Sequence, residues 1–132
     1  MLAELPIRTF PSGPETPVQE RTEVTQMHAR IVTFQLDGPS PDEYRSMAAS
    51  IADAFNEWPG LIFKLWLGDI DNNRYGGIYL FQTAADADRS RTTPEFASLE
   101  ANPAFAELMI DEFPILDEPT AVTAATLLNP AA

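Results

Sequence analysis

The chain contains no cysteine. That excludes a disulfide framework, a thiolate nucleophile and any zinc-thiolate site. Histidine is nearly absent as well: His28 is the single example, so the paired-histidine spacings of zinc and non-haem iron centres are missing. Haem would lack its commonest ligand unless His28 supplied it, and no metal or other cofactor is expected. Positive charge is scarce, with 8 Lys and Arg against 20 Asp and Glu and a net charge of −12. A basic patch for nucleic acid or an anionic membrane is therefore not available. No apolar run approaches the roughly 20 residues of a membrane span, and the N-terminus lacks the basic-then-apolar order of a signal peptide, so a cytoplasmic location is expected. Two partial motifs also fail. Gly76-Gly77 sits at a strand start, where a bulge or a close backbone contact explains it better than a phosphate loop does. Asp69, Asp71 and Asn72 open like a calcium loop, but the required glycine and terminal glutamate do not follow.

What is present suffices for one domain: 132 residues, of which 45% are hydrophobic. Prolines 6, 11, 14 and 17 block helix and inner strand at the start, so 1–26 reads as an arm, either disordered or laid extended across a surface. His28 to Leu36 has strong β-propensity and ends at Asp37-Gly38-Pro39. Ser40-Pro41-Asp42-Glu43 then has the layout of a capping box. Behind it Tyr44, Met47, Ile51, Phe55 and Trp58 recur at helical spacing until Pro59-Gly60 stops the helix.

Leu61 to Ile70 and Gly77 to Phe81, joined by Asp71-Asn72-Asn73, form a hairpin whose two strands both read as central. Thr83, Thr93-Pro94 and Asn102-Pro103 are three helix starts, predicting three short helical pieces between Ala84 and about Ala106. An edge strand is expected near Met109 to Leu116, and 119–132 forms a second arm whose Val122, Leu127 and Leu128 are available to dock. The order β, α, β, β, α, β is that of an α+β, ferredoxin-like fold with an antiparallel four-stranded sheet, here assigned to 27–118.

On the first hairpin strand Leu61, Phe63, Leu65 and Leu67 alternate with Ile62, Lys64 and Trp66. The expected register turns the purely apolar set toward the helices. Lys64, Trp66, Tyr79 and Phe81 then lie on the other face, joined by Thr33 and Gln35 if Val32, Phe34 and Leu36 also face the helices. Neither face is polar enough for water. Two copies packed sheet to sheet would close a dimeric α/β barrel with a cavity on each inner face, so a homodimer is expected.

Pro59-Gly60, Lys64, Trp66 and the run Gly76-Gly77-Ile78-Tyr79-Leu80-Phe81 closely resemble the YdhR-type mono-oxygenases, a family of the dimeric α/β-barrel superfamily. The resemblance runs from about Arg30 to Pro119 and is sharpest in the hairpin. The arm from Met1 to Gln26 has no counterpart, and Thr93 to Phe105 departs from the family pattern. The resemblance implies the fold, the dimer and a mono-oxygenase-like activity; it carries over no catalytic residues.

The residues themselves suggest an aromatic pocket holding few polar groups, suited to a flat hydrophobic ligand. A cofactor-independent oxygenase acting on a small aromatic or polyketide-like substrate, or a related isomerase or cyclase, would need only to bind it, take a proton and stabilise an oxyanion. Lys64 is the candidate for the oxyanion and Tyr79 or His28 for the proton, with Thr33, Gln35, Trp66 and Phe81 as substrate contacts. The competing readings are structural. Lys64 pairs with Asp111 or Glu112 across a dimer interface, Trp66 and Phe81 are dimer core, His28 is an exposed strand end, and the protein is a non-catalytic homodimer that binds a small hydrophobic molecule.

Overall fold

In the computed structural model, which describes residues 26–128, the chain forms β1 (His28–Leu36), α1 (Pro41–Phe55), β2 (Leu61–Asp69), β3 (Arg74–Phe81), α2 (Ala84–Ser90), α3 (Pro94–Ala101), β4 (Phe105–Pro114), α4 (Asp117–Thr123) and α5 (Ala125–Leu128). The expected arm over 1–26 lies, apart from Gln26, outside the described residues. The strands make one antiparallel sheet in the order β2-β3-β1-β4, which is the ferredoxin-like βαββαβ plan. β3 is central, as expected, but β2 is an edge strand. Its apolar composition therefore does not come from having neighbours on both sides.

Local chemistry sets the helix ends. Ser40 Oγ accepts from the Glu43 backbone N–H while Glu43 Oε1 accepts from the Ser40 N–H, closing the capping box ahead of Pro41. Thr83 and Thr93 cap α2 and α3 in the same manner through the N–H groups of Asp86 and Phe96. The third expected helix does not form. Asn102 Oδ1 accepts from the Ala104 N–H in a tight turn, and β4 begins at Phe105, four residues ahead of the expected strand. The C-terminal arm is helical over α4 and α5, and its Val122 and Leu127 stay exposed within the protomer.

The helices cover one face of the sheet. Val32 and Phe34 of β1, Tyr75, Tyr79 and Phe81 of β3, Tyr44 and Phe55 of α1, Trp58 and Ala87 make the core. Register decides which hairpin residues join it. His28, Arg30, Val32 and Phe34 stand opposite Phe81, Tyr79, Gly77 and Tyr75, while Lys64 and Trp66 stand opposite Tyr79 and Gly77. Residues paired across a sheet share a face, so Lys64, Trp66, Tyr79 and Phe81 point toward the helices together with Val32 and Phe34.

This reverses the hairpin half of the expected register and keeps the β1 half. The cause is a bulge: Leu61 pairs with Phe81 but Phe63 with Leu80, so one extra residue separates them. Leu61 packs on the core, whereas Phe63, Leu65 and Leu67 lie on the open face. Gly76 lets β3 run close to β1. Its φ of 153° lies in glycine's territory, and a Cβ there would stand 1.8 Å from the Val32 carbonyl oxygen.

Candidate functional site

A cavity of about 370 Å³ opens between the helix-covered face of the sheet and the helices. Its floor is Val32, Phe34, Gly77 and Tyr79, with Lys64 and Trp66 at the β2 side. Tyr44, Met47, Ile51, Phe55 and Trp58, the stripe that the helical spacing of α1 predicts, form one wall. The other wall is α3, which contributes Glu95, Phe96, Ser98 and Leu99, with Asn102 at its end. The volume is within the usual range for a small-molecule site. The cavity belongs to a single protomer, between sheet and helices, and not to the open face on which the sequence-derived register placed it.

Lys64 is its most distinctive group. The ammonium nitrogen lies 3.4 Å from the ring centroid of Trp66, 3.6 Å from Phe55 and 4.8 Å from Tyr79, so three rings enclose it. Among the described residues no carboxylate comes within ion-pair distance: Glu112, on the same face but at the opposite edge of the sheet, is occupied by His28, Arg30 and Arg91. Ring faces compensate only part of the hydration that burial removes, and burial lowers the Lys64 pKa from 10.5 to about 7. Gly77 makes room for the stem, since a Cβ there would stand 3.0 Å from Lys64 Cε.

The tyrosines behave oppositely. Burial, reinforced by the neighbouring Tyr75, pushes Tyr44 up to about 12. Burial likewise raises Tyr79, against a smaller lowering by Arg30. Both are therefore neutral O–H donors at any physiological pH, which removes Tyr79 as a proton-accepting base. Neither hydroxyl has a hydrogen-bond partner among the described residues, although both side chains are buried and line the cavity. A buried hydroxyl without a partner costs about 1–3 kcal/mol, and an oxygen-bearing ligand relieves that cost.

Of the residues singled out from sequence, Lys64, Trp66 and Tyr79 meet at the cavity. Phe81 does not line it; it stacks parallel to Tyr79 and Trp58 at centroid distances of 6.2 and 6.4 Å, inside the core. Thr33 and Gln35 are on the opposite sheet face from the cavity, across from Met109 and Ala106, because β1 has the expected register and the hairpin does not. His28 is half-buried, away from the cavity, with Nε2 2.7 Å from Glu112 Oε1. It therefore serves the Arg30 cluster and does not line the cavity. The Lys64 to Asp111 or Glu112 pairing is not made within the protomer.

Three residues escaped the sequence. Arg30 is wholly buried, donating from Nε to Glu112 Oε2 at 2.7 Å, from Nη1 to Ser90 Oγ at 2.8 Å and from Nη2 to the Ala87 carbonyl at 2.8 Å. Its signal was its phase, two residues before Val32 on the same face. Burial would raise the Glu112 carboxyl, but hydrogen bonds from Arg30 and His28, the Arg30 charge and Arg91 outweigh it and hold the group below the usual carboxylate range. Glu95, directly after the Thr93-Pro94 helix start, accepts from Trp58 Nε1–H at 2.9 Å. Tyr44 was legible only as one residue of an apolar stripe.

Several solved structures share this architecture. SnoaB from Streptomyces nogalater, described as a cofactor-independent oxygenase, superposes with a TM-score of 0.56 at 22% identity, over 70% of this chain and 99% of its own. Rv0793 from Mycobacterium tuberculosis gives 0.58 at 14% identity, over 70% and 97%. A hydroxynitrile lyase from Passiflora edulis gives 0.52 at 21%, over 70% and 96%. Identities this low show the fold and leave the chemistry open. No curated protein matches the chain by sequence. The family described as "Putative mono-oxygenase ydhR" matches residues 31–126, from β1 to α5 and through the whole cavity-forming domain, and the chain belongs to that family.

Proposed function

We propose that the protein is a cofactor-independent mono-oxygenase that binds a small aromatic phenol or enol in the cavity between sheet and helices. The observation that carries this reading is the unpaired Lys64 amine on an otherwise aromatic wall, with a pKa of about 7. At neutral pH a substantial fraction is the free amine, able to take the hydroxyl proton of a bound phenol. The resulting ammonium then stays beside the oxyanion in a site of low dielectric, where the pair attracts strongly. Tyr44 and Tyr79 supply neutral hydroxyl donors to the same ligand.

The electron-rich phenolate carbon reacts with dioxygen to give a peroxide, which Lys64 protonates. Loss of water, with the carbon's hydrogen leaving as a proton and the O–O bond breaking, gives the carbonyl. One oxygen atom ends in the quinone-like product and one in water, and the substrate supplies the electrons. Oxygen uptake with naphthols and enolisable tricyclic ketones tests this. One dioxygen consumed per ligand oxidised, with Lys64→Met slowing the rate by about 10²- to 10⁴-fold, is the expected result. Lys64-independent uptake, or none with ligands shown to bind, contradicts it.

We further propose that the open sheet face is covered by a second copy of the chain. Leu65, Met109 and Phe113 on that face are each about half exposed in the protomer, at 50%, 56% and 49%, and such a patch suits an isologous interface. Sedimentation of the parent as a dimer, and of Leu65→Glu as a monomer, is expected. A monomeric parent at micromolar concentration refutes the pairing.

A further inference from the structure

The wall contributed by α3 does not resemble the rest of the cavity. A helix closing an aromatic pocket would ordinarily turn only apolar residues inward, yet Glu95, Ser98 and Asn102, three and four residues apart, line the space along with Phe96 and Leu99. The Glu95 carboxylate is held in place through one oxygen, Oε1, by the Trp58 indole N–H at 2.9 Å, and Trp58 is itself buried against Tyr79. Among the described residues its other oxygen has no partner, and no lysine, arginine or histidine of theirs is within 4.0 Å of either. Lys64 and Glu95 thus line one cavity without meeting. Glu95 is partly buried and Ser98 and Asn102 are exposed, so this wall forms the rim of the cavity, where a donor on a bound ligand takes the place of water at the carboxylate.

We propose that Glu95 determines the specificity of the site, selecting ligands that carry, besides the acidic hydroxyl taken by Lys64, a second and uncharged hydroxyl or amino group that donates to Glu95. The same carboxylate disfavours ligands bearing a carboxylate at that end, because two like charges would be held side by side at the rim. The class is a dihydroxylated or amino-hydroxylated flat aromatic, as opposed to an aromatic hydroxy acid. This rests on the proposed role of Lys64, and Ser98 and Asn102 widen the polar end for the donor's own acceptor needs.

Binding of three probes by calorimetry, namely 2-naphthol, naphthalene-2,6-diol and 6-hydroxy-2-naphthoic acid, provides the test. The diol is expected to bind about tenfold more tightly than 2-naphthol, the value of one hydrogen bond to a charged group, and the hydroxy acid at least about tenfold more weakly. Glu95→Gln keeps the side chain's length and an acceptor for Trp58 while removing the charge. It should bring the hydroxy acid to within about threefold of 2-naphthol and reduce the diol's advantage. Glu95→Leu should abolish that advantage, with thermal melts confirming that both variants fold. If 2-naphthol binds in a Lys64-dependent way but the ranking is the same in the parent and both Glu95 variants, the specificity role is wrong and the Lys64 reading survives. If 2-naphthol binds equally to the parent and Lys64→Met, or no probe binds, the Lys64 reading fails and this inference falls with it.

Discussion

Two cations sit on the helix-facing side of the same sheet, paired with the same residue of β3, and the protein treats them in opposite ways. Arg30 of β1 and Lys64 of β2 both stand opposite Tyr79. Arg30 is 0% exposed and spends its donors on Glu112, Ser90 and Ala87, fastening α2 to the sheet and bracing β1 against its neighbour β4. Both cations lie over aromatic rings, but Lys64 has no acceptor among the described residues where Arg30 has three, and its pKa falls accordingly. A planar guanidinium with a fixed fork suits a fully satisfied structural node, whereas an amine that readily gives up its proton suits chemistry. Burial alone therefore does not separate structure from function here; the supply of partners does.

The largest expected effect comes from emptying the Arg30 side. Glu112→Leu leaves a buried guanidinium without its counter-ion and should lower stability by about 3–5 kcal/mol, read from denaturant unfolding. In the parent the lowered Glu112 pKa has a defined sign. Its stabilisation is present above the ordinary carboxylate value and is lost as pH falls through the lower folded value. Stability of the parent should fall across that acid range, and the fall should shrink in Glu112→Leu.

Removing the other cation should have the opposite sign. Lys64 is lowered from 10.5 to about 7, so the unfolded chain holds the extra proton between those values and ligand-free stability rises with pH across them. Lys64→Met should stabilise the protein by about 2–3 kcal/mol near pH 6, allowing for partial solvent screening of a half-buried amine. That gain should vanish above the unfolded pKa. Equal destabilisation at every pH would mean that Lys64 has an acid partner after all.

How much of this was legible follows from the same two residues. The fold emerged from signals that act locally: the Ser40 capping box, the stripe from Tyr44 to Trp58, and the Asp71-Asn73 turn between two apolar runs. The site depended on register, and there the sequence was ambiguous, because Phe63, Leu65 and Leu67 are as apolar as any core face. The bulge between Leu61 and Phe63 leaves no pattern in residue types, yet it moves Lys64 from the open face to the cavity. Arg30 was passed over because charge in a strand suggests solvent. Its phase with Val32 and Phe34 said otherwise, but only a partner as distant in sequence as Glu112 makes that burial affordable. Thr33 and Gln35 were misassigned to the site because one strand's register was right and its neighbour's was not.

The smallest expected effect sharpens the contrast at the cavity floor. Gly77→Ala sets a methyl group 3.0 Å from Lys64 Cε, which the stem relieves by shifting outward, and 3.2 Å from the Leu65 carbonyl oxygen and 3.3 Å from the Tyr79 ring, which must give slightly. Stability should change by about 1 kcal/mol or less, while the Lys64 pKa climbs back toward its ordinary value as the amine gains water. A pKa unchanged in Gly77→Ala would show that the glycine does not hold the stem in place.

The central claim, that an unpartnered and desolvated amine is the titrating group of the cavity, is tested most directly by following Lys64 itself. Selective carbon-13 labelling at lysine Cε, with Lys64→Met providing the assignment, gives its titration curve by NMR. A midpoint near 7, moving upward when a phenol binds, is the result expected from three enclosing rings and, among the described residues, no carboxylate. A midpoint near the ordinary lysine value of about 10.4, unmoved by ligand, would contradict it.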